Sequence, residues 1–306
     1  MKKVLVSNSK IFITGILGFT GLHLAKYLNN MGAIVHGISR KKCSGKGVDD
    51  CIVHECDILD FKRLKEIVTS VQPDFIFHLA GNSSNVGDSF EKYKTNIMGT
   101  ENLLKAIIES NCSVQKVIIS STASVYGNKY SECEESVSPE PVSHYGISKL
   151  GVEKISKNYF DKIPIIITRP FNYTGYGQKI NFLIPKIVKH FKEKRKIVEL
   201  GNLNVFREFN SIEYVLDCYF KLMVSESSGK IVNICSGITY SITEIIAFIE
   251  ILTNHQINVK VNELFVRKNE ISHLKGSTNL LERVIKIDLG KNNIHSTLKQ
   301  MLFDEK

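Results

Sequence analysis

Short apolar segments alternate with helical patterns along the first half of the chain, and this alternation constrains the fold more than any other feature. The apolar segments are continuous Val/Ile/Phe runs, which are typical of strands buried on both faces of a parallel sheet. We predict strands at residues 11–14, 33–38, 52–55, 75–79, 116–120 and 163–169, and helices at 18–31, 61–69, 89–109 and 145–160. A regular β-α alternation predicts a doubly wound α/β sheet.

The pattern changes after Pro170. A Gly/Asn/Tyr loop at residues 171–177 leads into a basic helix predicted at 182–193, and residues 232–235 are predicted to return to the sheet as a strand. Ser241 is predicted to cap a helix at 242–253, with Glu244 as its reciprocal partner. We therefore expect a sheet domain at 1–171, joined by the returning strand near 232–236, and a smaller α/β lobe at 172–306.

Composition excludes several classes of protein. The chain has no run of 18 apolar residues, so no membrane span is expected, and its apolar N-terminal segment is too short for a signal peptide, so we expect a cytoplasmic protein. The net charge of +9 is spread out without interleaved aromatic residues, which disfavours nucleic acid. The excess either serves a phosphorylated cofactor and substrate or forms solvated surface. The seven cysteines form no C-x-x-C pair and the nine histidines lack ligand spacing, so we predict no metal.

A glycine-rich turn follows the first predicted strand. Gly15, Gly18 and Gly21 form a G-x-x-G-x-x-G pattern that opens the first helix. Such glycines permit a tight turn and a close approach of the backbone to a pyrophosphate, while the helix N-terminus supplies N–H groups. The pattern in this strand–turn–helix context predicts a dinucleotide-binding site.

The end of the second strand bears on the choice of cofactor. An acidic residue usually stands here in NAD sites, and this chain has Ser39, Arg40 and Lys41 instead. Ser39 can hydrogen-bond a ribose 2′-phosphate and Arg40 can pair with it. We predict NADP(H), with NAD(H) as the alternative. Under the other interpretation, Arg40 and its neighbours are a solvated loop.

A tyrosine and a lysine begin the predicted helix at 145–160. Tyr145 and Lys149 are four residues apart and so share one helical face. A neighbouring ammonium stabilises a phenolate, which allows the tyrosine to act as general acid or base for a hydroxyl/carbonyl pair. A hydroxyl-rich loop, Ser120 to Gly127, follows the strand at 116–120, and Thr122 in it is predicted to hydrogen-bond the reacting oxygen. These three residues are the predicted catalytic group.

Together these elements resemble the extended short-chain dehydrogenase/reductases that act on nucleotide sugars. Further motifs that carry the resemblance are Asp57-Ile58, His78-Leu79-Ala80-Gly81 and Asn96. It implies a Rossmann-type sheet, Asp57 near the adenine and Lys149 on the nicotinamide ribose. It also implies a homodimer through the helices near 89–109 and 145–160. The implied cofactor-binding residues are Gly15, Gly18, Phe19, Gly21, Ser39, Arg40, Asp57, Ile58, Leu79, Ala80, Gly81, Asn96, Ser120, Tyr145 and Lys149.

The second half of the chain contains the motifs Arg169-Pro170-Phe171-Asn172, Arg207-Glu208-Phe209 and Arg267-x-x-Glu270. In these motifs it resembles the branch that contains GDP-mannose 4,6-dehydratases and GDP-4-keto-6-deoxy-mannose reductases. The resemblance implies that the lobe binds a nucleotide-diphosphate sugar. Asn172 and Arg207 would contact the sugar diphosphate, Arg267 a phosphate and Glu270 the guanosine. Where the branch often has Gly-Asp, this chain has Gly276-Ser277. The predicted substrate-binding residues are Ser124, Asn172, Gly201, Arg207, Arg267 and Glu270.

The loop after Thr122 separates the possible reactions. In the dehydratases a glutamate follows the catalytic threonine by two residues, and this chain has Ser124 there. Ser124 cannot carry the proton that elimination needs, so the sequence favours NADPH-dependent reduction of a 4-keto-6-deoxy sugar. The alternatives are a 4-epimerase, against which Arg40 argues, a GDP-mannose 4,6-dehydratase, and an NADP-binding protein without catalytic activity.

Overall fold

The computed structural model describes residues 6–41, 50–83, 88–266, 271–286 and 292–304. Within these ranges the central sheet consists of β1 Lys10–Thr14, β2 Ile34–Ser39, β3 Cys51–Glu55, β4 Phe75–His78, β5 Lys116–Ser120, β6 Ile165–Pro170 and β11 Lys230–Ile234. Its order is β11-β6-β5-β4-β1-β2-β3, and every pairing is parallel. The predicted Rossmann-type sheet is confirmed.

Helices cover both faces of the sheet. One apolar cluster contains residues of α1 Phe19–Asn29, α7 Ile212–Met223 and α9 Asn279–Val284, and the other contains residues of α2 Phe61–Val71, α4 Gly99–Glu109 and α5 His144–Lys157. Along β1, Ile11 and Ile13 belong to the first cluster and Phe12 to the second. The centre of the strand, residues 11–13, is apolar because both of its faces are buried.

The strand order reverses between β1 and β4. Chain connections leave these two strands in opposite directions, so a crevice opens beyond their carboxyl ends, where ligands bind in open α/β sheets. Thr14 ends β1 beside His78 at the end of β4, and Leu79 N–H donates to the Thr14 carbonyl across 3.2 Å. The fold therefore places the glycine-rich turn and the segment after β4 on opposite sides of one crevice.

The structure differs from two helical expectations. The helix predicted at 89–109 consists of α3 Ser89–Tyr93, a π-helical segment Lys94–Met98 and α4. Helix α7 has no counterpart among the predicted helices, and nine of its twelve residues are buried. Its polar residues Glu213, Asp217 and Lys221 recur every four positions, so they form one narrow polar face on an otherwise apolar segment. Helices α7 and α9, as well as the expected strand β11, thus return to the first domain; the division at residue 171 stays a prediction.

The remaining elements form the C-terminal lobe. A third apolar cluster holds α6 Leu183–Lys192, α8 Ile242–Thr253 and α10 Ile294–Phe303 against the parallel pair β8 Ile197–Leu200 and β13 Asn258–Val261. Two smaller pairings complete it: β7 Tyr173–Thr174 with β10 Asn210–Ser211, and β9 Phe206–Arg207 between β12 Tyr240–Ser241 and β14 His273–Leu274. The predicted capping box of Ser241 and Glu244 is confirmed. No helix among the described residues is both long and apolar enough to cross a membrane.

Candidate active site

The glycine-rich turn lies tightly against the segment after β4. Gly15 has φ +73°, and a Cβ atom there would lie 2.9 Å from the backbone N and Cα of Ala80. A Cβ atom at Gly21 would collide with the Gly15 carbonyl. Gly18 is the N-cap of α1 and offers no side-chain cap, so the first-turn N–H groups, including that of Phe19, suit a phosphate ligand. The turn fits the pyrophosphate of a dinucleotide.

A buried histidine fixes the segment after β4. His78 Nδ1 lies 2.8 Å from Thr14 Oγ1, which also accepts the Ala80 N–H across 3.1 Å. His78 Nε2 lies 2.8 Å from Thr100 Oγ1, which donates to the Asn96 carbonyl across 2.6 Å. Because the Thr100 proton is used, Nε2 is the donor and Nδ1 accepts from Thr14. Burial lowers the pKa of His78 to about 3, so the ring is neutral at physiological pH.

Asn96 connects this segment to the helix that carries the Tyr–Lys pair. It lies in the π-helical segment Lys94–Met98, an irregularity that is frequent at functional sites. Its Oδ1 accepts the Asn82 N–H across 2.7 Å, and its Nδ2 donates to Ser148 Oγ across 2.8 Å. Ser148 Oγ in turn donates to the Tyr145 carbonyl across 2.8 Å. The segment after β4 is thereby joined to α5 next to Tyr145.

Lys149 is buried beside the end of β5. Its Nζ donates to the Ser120 carbonyl across 2.7 Å, and a Cβ atom at Gly81 would lie 3.3 Å from it. Gly81 therefore leaves room for the ammonium group. Burial lowers the pKa of Lys149 to about 8, against the opposing effect of the Glu153 charge. The ammonium form thus dominates at neutral pH but deprotonates far more readily than a solvated lysine.

Tyr145 lies in the first turn of α5, which Ser143 Oγ caps by accepting the Gly146 N–H across 3.1 Å. Burial raises the pKa of the phenol and the charge of Tyr173 adds to this effect, while a hydrogen bond with Thr122 opposes it. The phenol is therefore protonated at neutral pH and can donate. The predicted residues Thr122, Tyr145 and Lys149 lie together.

The hydroxyl-rich loop contains a short 3-10 turn, Ala123–Val125. Thr122 Oγ1 accepts the Ser124 N–H across 3.2 Å and lies 3.3 Å from Ser124 Oγ. The position that would carry an acid in a dehydratase is thus a hydroxyl bonded to Thr122.

The residues predicted around the adenosine end lie at the carboxyl ends of β2 and β3. The Ser39 carbonyl accepts the Cys56 N–H across 2.9 Å, which brings Ser39 beside Asp57. Ser39 Oγ accepts the Lys41 N–H across 3.1 Å, and the Arg40 side chain is exposed. Ile58 is buried. All of these residues lie on the same edge of the sheet as the glycine-rich turn.

The predicted substrate residues are more scattered. Asn172 is exposed between β6 and β7, and its carbonyl accepts the Asn210 N–H across 2.8 Å. Arg207 is buried, and its guanidinium donates to the Phe206 carbonyl across 2.8 Å and to the Ile271 carbonyl. Gly201 approaches the Phe265 carbonyl so closely that a Cβ atom would collide with it. Arg267 and Glu270 lie outside the described residues.

The sequence did not predict a tyrosine, Tyr173, that contacts the first turn of α1. The Tyr173 hydroxyl lies 2.7 Å from Thr20 Oγ1, and its ring stacks on Phe19 with centroids 6.2 Å apart. A further bond, 2.8 Å from His23 Nε2 to the Tyr176 carbonyl, ties the same segment to α1. No local pattern marks Tyr173, because its partners are 153 positions away in the sequence.

Comparison with known proteins agrees with this geometry. Residues 11–235 match the model of the NAD dependent epimerase/dehydratase family. A GDP-6-deoxy-D-talose 4-dehydrogenase from Aggregatibacter actinomycetemcomitans is 34% identical over 95% of this chain and 96% of its own. A GDP-6-deoxy-D-mannose reductase from Pseudomonas aeruginosa is 26% identical over 88% of each chain.

Structural comparison gives the same result. A crystal structure from Burkholderia cenocepacia J2315, described as a candidate epimerase, superimposes with a TM-score of 0.89 at 33% identity and covers 97% of both chains. The glycine-rich turn, the Tyr–Lys pair on α5 and these whole-length similarities lead to one conclusion. The chain belongs to the NAD-dependent epimerase/dehydratase family, whose members modify nucleotide sugars by oxidation, reduction, epimerisation or dehydration.

Proposed function

We propose that the protein reduces the C4 ketone of a GDP-linked 4-keto-6-deoxy sugar with NADPH, in deoxysugar biosynthesis for a surface polysaccharide. The observation that carries this proposal is the grouping of Thr122, Tyr145 and Lys149 next to a hydroxyl, Ser124, where dehydration would need an acid. The relatives named for 4-dehydrogenase and reductase activity on GDP-6-deoxy sugars support it.

The three side chains suffice for ketone reduction. A bound reduced nicotinamide supplies the hydride that C4 accepts. Tyr145 donates its phenol proton to the carbonyl oxygen as that oxygen becomes an alkoxide, so the ketone becomes a secondary alcohol. Lys149 stabilises the phenolate that is left, and Thr122 hydrogen-bonds the reacting oxygen.

The choice of NADP(H) is supported at the end of β2. Arg40 is exposed there and Ser39 presents a hydroxyl on the same edge, and neither is the acid that an NAD site would use for the ribose 2′-hydroxyl. A guanidinium pairs well with a 2′-phosphate. The residues around the glycine-rich turn fit the dinucleotide itself, whichever form is preferred.

The substrate is proposed to lie between the crevice and the C-terminal lobe. Asn172 precedes β7 and Arg207 belongs to β9, and we expect the diphosphate of the sugar to lie against these two segments. Arg267 and Glu270 are proposed for the nucleotide end by resemblance alone.

The decisive experiment is turnover of purified protein with GDP-4-keto-6-deoxy-mannose and either NADPH or NADH, with the product identified by NMR. We expect loss of the reduced-nicotinamide absorbance, faster with NADPH, and a single C4 alcohol. The Tyr145→Phe variant, which keeps the ring and loses the proton, should bind cofactor but turn over at a rate at least about 10²-fold lower.

Two other outcomes would replace the proposal. Formation of a 4-keto product from GDP-mannose would identify a dehydratase despite Ser124. Interconversion of C4 epimers without added cofactor would identify an epimerase with tightly held NAD.

We also propose a cytoplasmic homodimer. Phe90, Met98 and Ile147 lie on the two helical segments predicted to pair and are 65%, 55% and 45% exposed, so this face offers apolar side chains to an interface. Sedimentation of the protein and of its Met98→Glu variant tests this: the variant should be monomeric.

A further inference from the structure

A buried ion pair lies directly behind the Tyr–Lys pair, and the proposed reaction does not use it. Arg169 Nη2 lies 2.7 Å from Glu153 Oε2, and Arg169 Nε lies 2.9 Å from Glu153 Oε1. Both side chains are 2% exposed. Desolvating two charges is so costly that well-packed apolar residues often stabilise a core as well or better. The pair therefore calls for an explanation beyond stability.

Glu153 is placed to act on Lys149. Tyr145, Lys149 and Glu153 follow one another at intervals of four along α5 and so share one helical face. Within the described part of the chain, the titratable groups placed around Lys149 are Tyr145 and Glu153, four residues away on its own helix, and His78 at the end of β4. His78 is neutral, so Glu153 is the anion that opposes the effect of burial on the ammonium, and Arg169 of β6 lies beyond it.

The same carboxylate holds the loop that carries Thr122. Ser121 Oγ donates to Glu153 Oε1 across 2.6 Å. Ser121 stands between Ser120, whose carbonyl accepts the Lys149 ammonium, and Thr122. The Glu153 carboxylate thus acts on Lys149 through its charge and on the loop through the hydrogen bond from Ser121.

Arg169 anchors the far end of that loop. Its guanidinium lies over the Tyr126 ring, 4.7 Å from the centroid, and the Tyr126 hydroxyl donates to Asn233 Oδ1 across 2.7 Å. The ion pair therefore connects α5, both ends of the hydroxyl-rich loop and the sheet. A displacement of Arg169 would move Thr122 relative to Tyr145.

We propose that Glu153 is a positioning residue for the reduction: its carboxylate keeps the buried Lys149 charged and fixes Ser121 beside Thr122, while Arg169 holds the carboxylate in place and limits its field. This inference rests on the proposed function of the Tyr145–Lys149 pair. An ammonium beside a phenol stabilises the phenolate, so a change in the charge on Lys149 moves the pH at which Tyr145 loses its proton.

The test is Glu153→Gln, which keeps the size of the side chain and an acceptor for Ser121 but removes the charge. Removal of an opposing charge should lower the pKa of Lys149 by about one unit. The Lys149 Cε resonance of the sugar-free protein, assigned with Lys149→Arg, should titrate at lower pH, and the falling limb of the reduction rate should move with it.

A matched control separates this role from a structural one. Glu208 is also a buried carboxylate, held by the N–H groups of Gly276 and Ser236 at 2.7 Å each. Glu208→Gln changes a carboxylate that is also buried and hydrogen-bonded, and it should leave the Lys149 titration unchanged. Equal titrations in wild type and Glu153→Gln would overturn the inference. A shifted Lys149 resonance in a protein that reduces no sugar nucleotide would instead reject the proposed function alone.

Discussion

Asn96 and Ser148 are joined by a 2.8 Å hydrogen bond that crosses from the π-helical segment to the helix of the Tyr–Lys pair. Both side chains are fully buried, and Ser148 in turn holds the Tyr145 carbonyl. The bond therefore sets the distance between the segment after β4, where the cofactor is proposed to lie, and Tyr145. A catalytic tyrosine tolerates little displacement from its partner atoms.

We expect Asn96→Ala to lower kcat by about 10²-fold, because loss of this bridge lets α5 shift relative to the crevice. The fold should persist, since the apolar clusters on both faces of the sheet are untouched. Steady-state kinetics checks the rate, and circular dichroism checks the fold. Asn102→Ala serves as the control: its amide bonds the carbonyls of Ile58 and Leu59, away from Tyr145. An equal loss of kcat in both variants would show that the bridge has no special role.

Most of the fold was accessible from local sequence patterns. Strands β1, β4, β5 and β6 contain continuous runs of buried apolar residues, which made them predictable. The glycine-rich turn is also recognisable in the sequence, because φ +73° at Gly15 and the close contact at Gly21 leave little room for any other residue. Helix α7 was not predicted although Glu213, Asp217 and Lys221 recur every four positions, because nine of its twelve residues are buried and the polar face is narrow.

The candidate site likewise contains residues that local sequence spacing predicts and residues that it does not. Tyr145 and Lys149 are neighbours on one helix, so their spacing alone brings them together. Glu153 and Arg169 are joined across α5 and β6, and Tyr173 and Thr20 across 153 positions of sequence. Such contacts depend on how helices and strands pack against each other, and the residue pattern of a single segment does not show that packing.

The Tyr173 hydroxyl bonds Thr20 in the first turn of α1, where the cofactor phosphates are proposed to lie, so its removal should release the cofactor faster. In Tyr173→Phe the ring can still stack on Phe19, but the 2.7 Å bond to Thr20 is lost. A hydrogen bond of this kind contributes about 1 kcal/mol, so NADPH affinity should fall about three- to tenfold.

Fluorescence titration and stopped-flow displacement of NADPH measure this effect without any sugar. Tyr27→Phe makes the same change on α1, on the side that faces Asp217. It should leave the dissociation constant and the dissociation rate of NADPH unaltered. Unchanged dissociation from Tyr173→Phe would show that the Thr20 contact does not restrain the cofactor.

Arg40 should decide between the two nicotinamide cofactors. Arg40→Ala removes the guanidinium proposed to pair with the 2′-phosphate and should weaken NADPH binding about 10- to 100-fold, because hydrogen bonds to charged groups are the strong ones. NADH binding should be unaffected, since NADH lacks that phosphate. Arg195→Ala, which removes an exposed arginine paired with Glu193 in the lobe, controls for net charge. Parallel losses for NADPH and NADH would reject Arg40 as the discriminating residue.

His78 should make the stability of the protein depend on pH in a defined window. Burial lowers its pKa to about 3 from an ordinary value of 6.5, so below pH 6.5 the unfolded chain binds a proton that the folded chain does not. Stability is therefore complete above pH 6.5 and falls as the pH drops toward 3, by roughly 1 kcal/mol per pH unit from this residue. Urea unfolding of wild type and His78→Asn at pH 7, 6 and 5 measures it. The free-energy advantage of wild type over the variant should shrink with each step; a constant difference would mean that burial does not lower the pKa of His78.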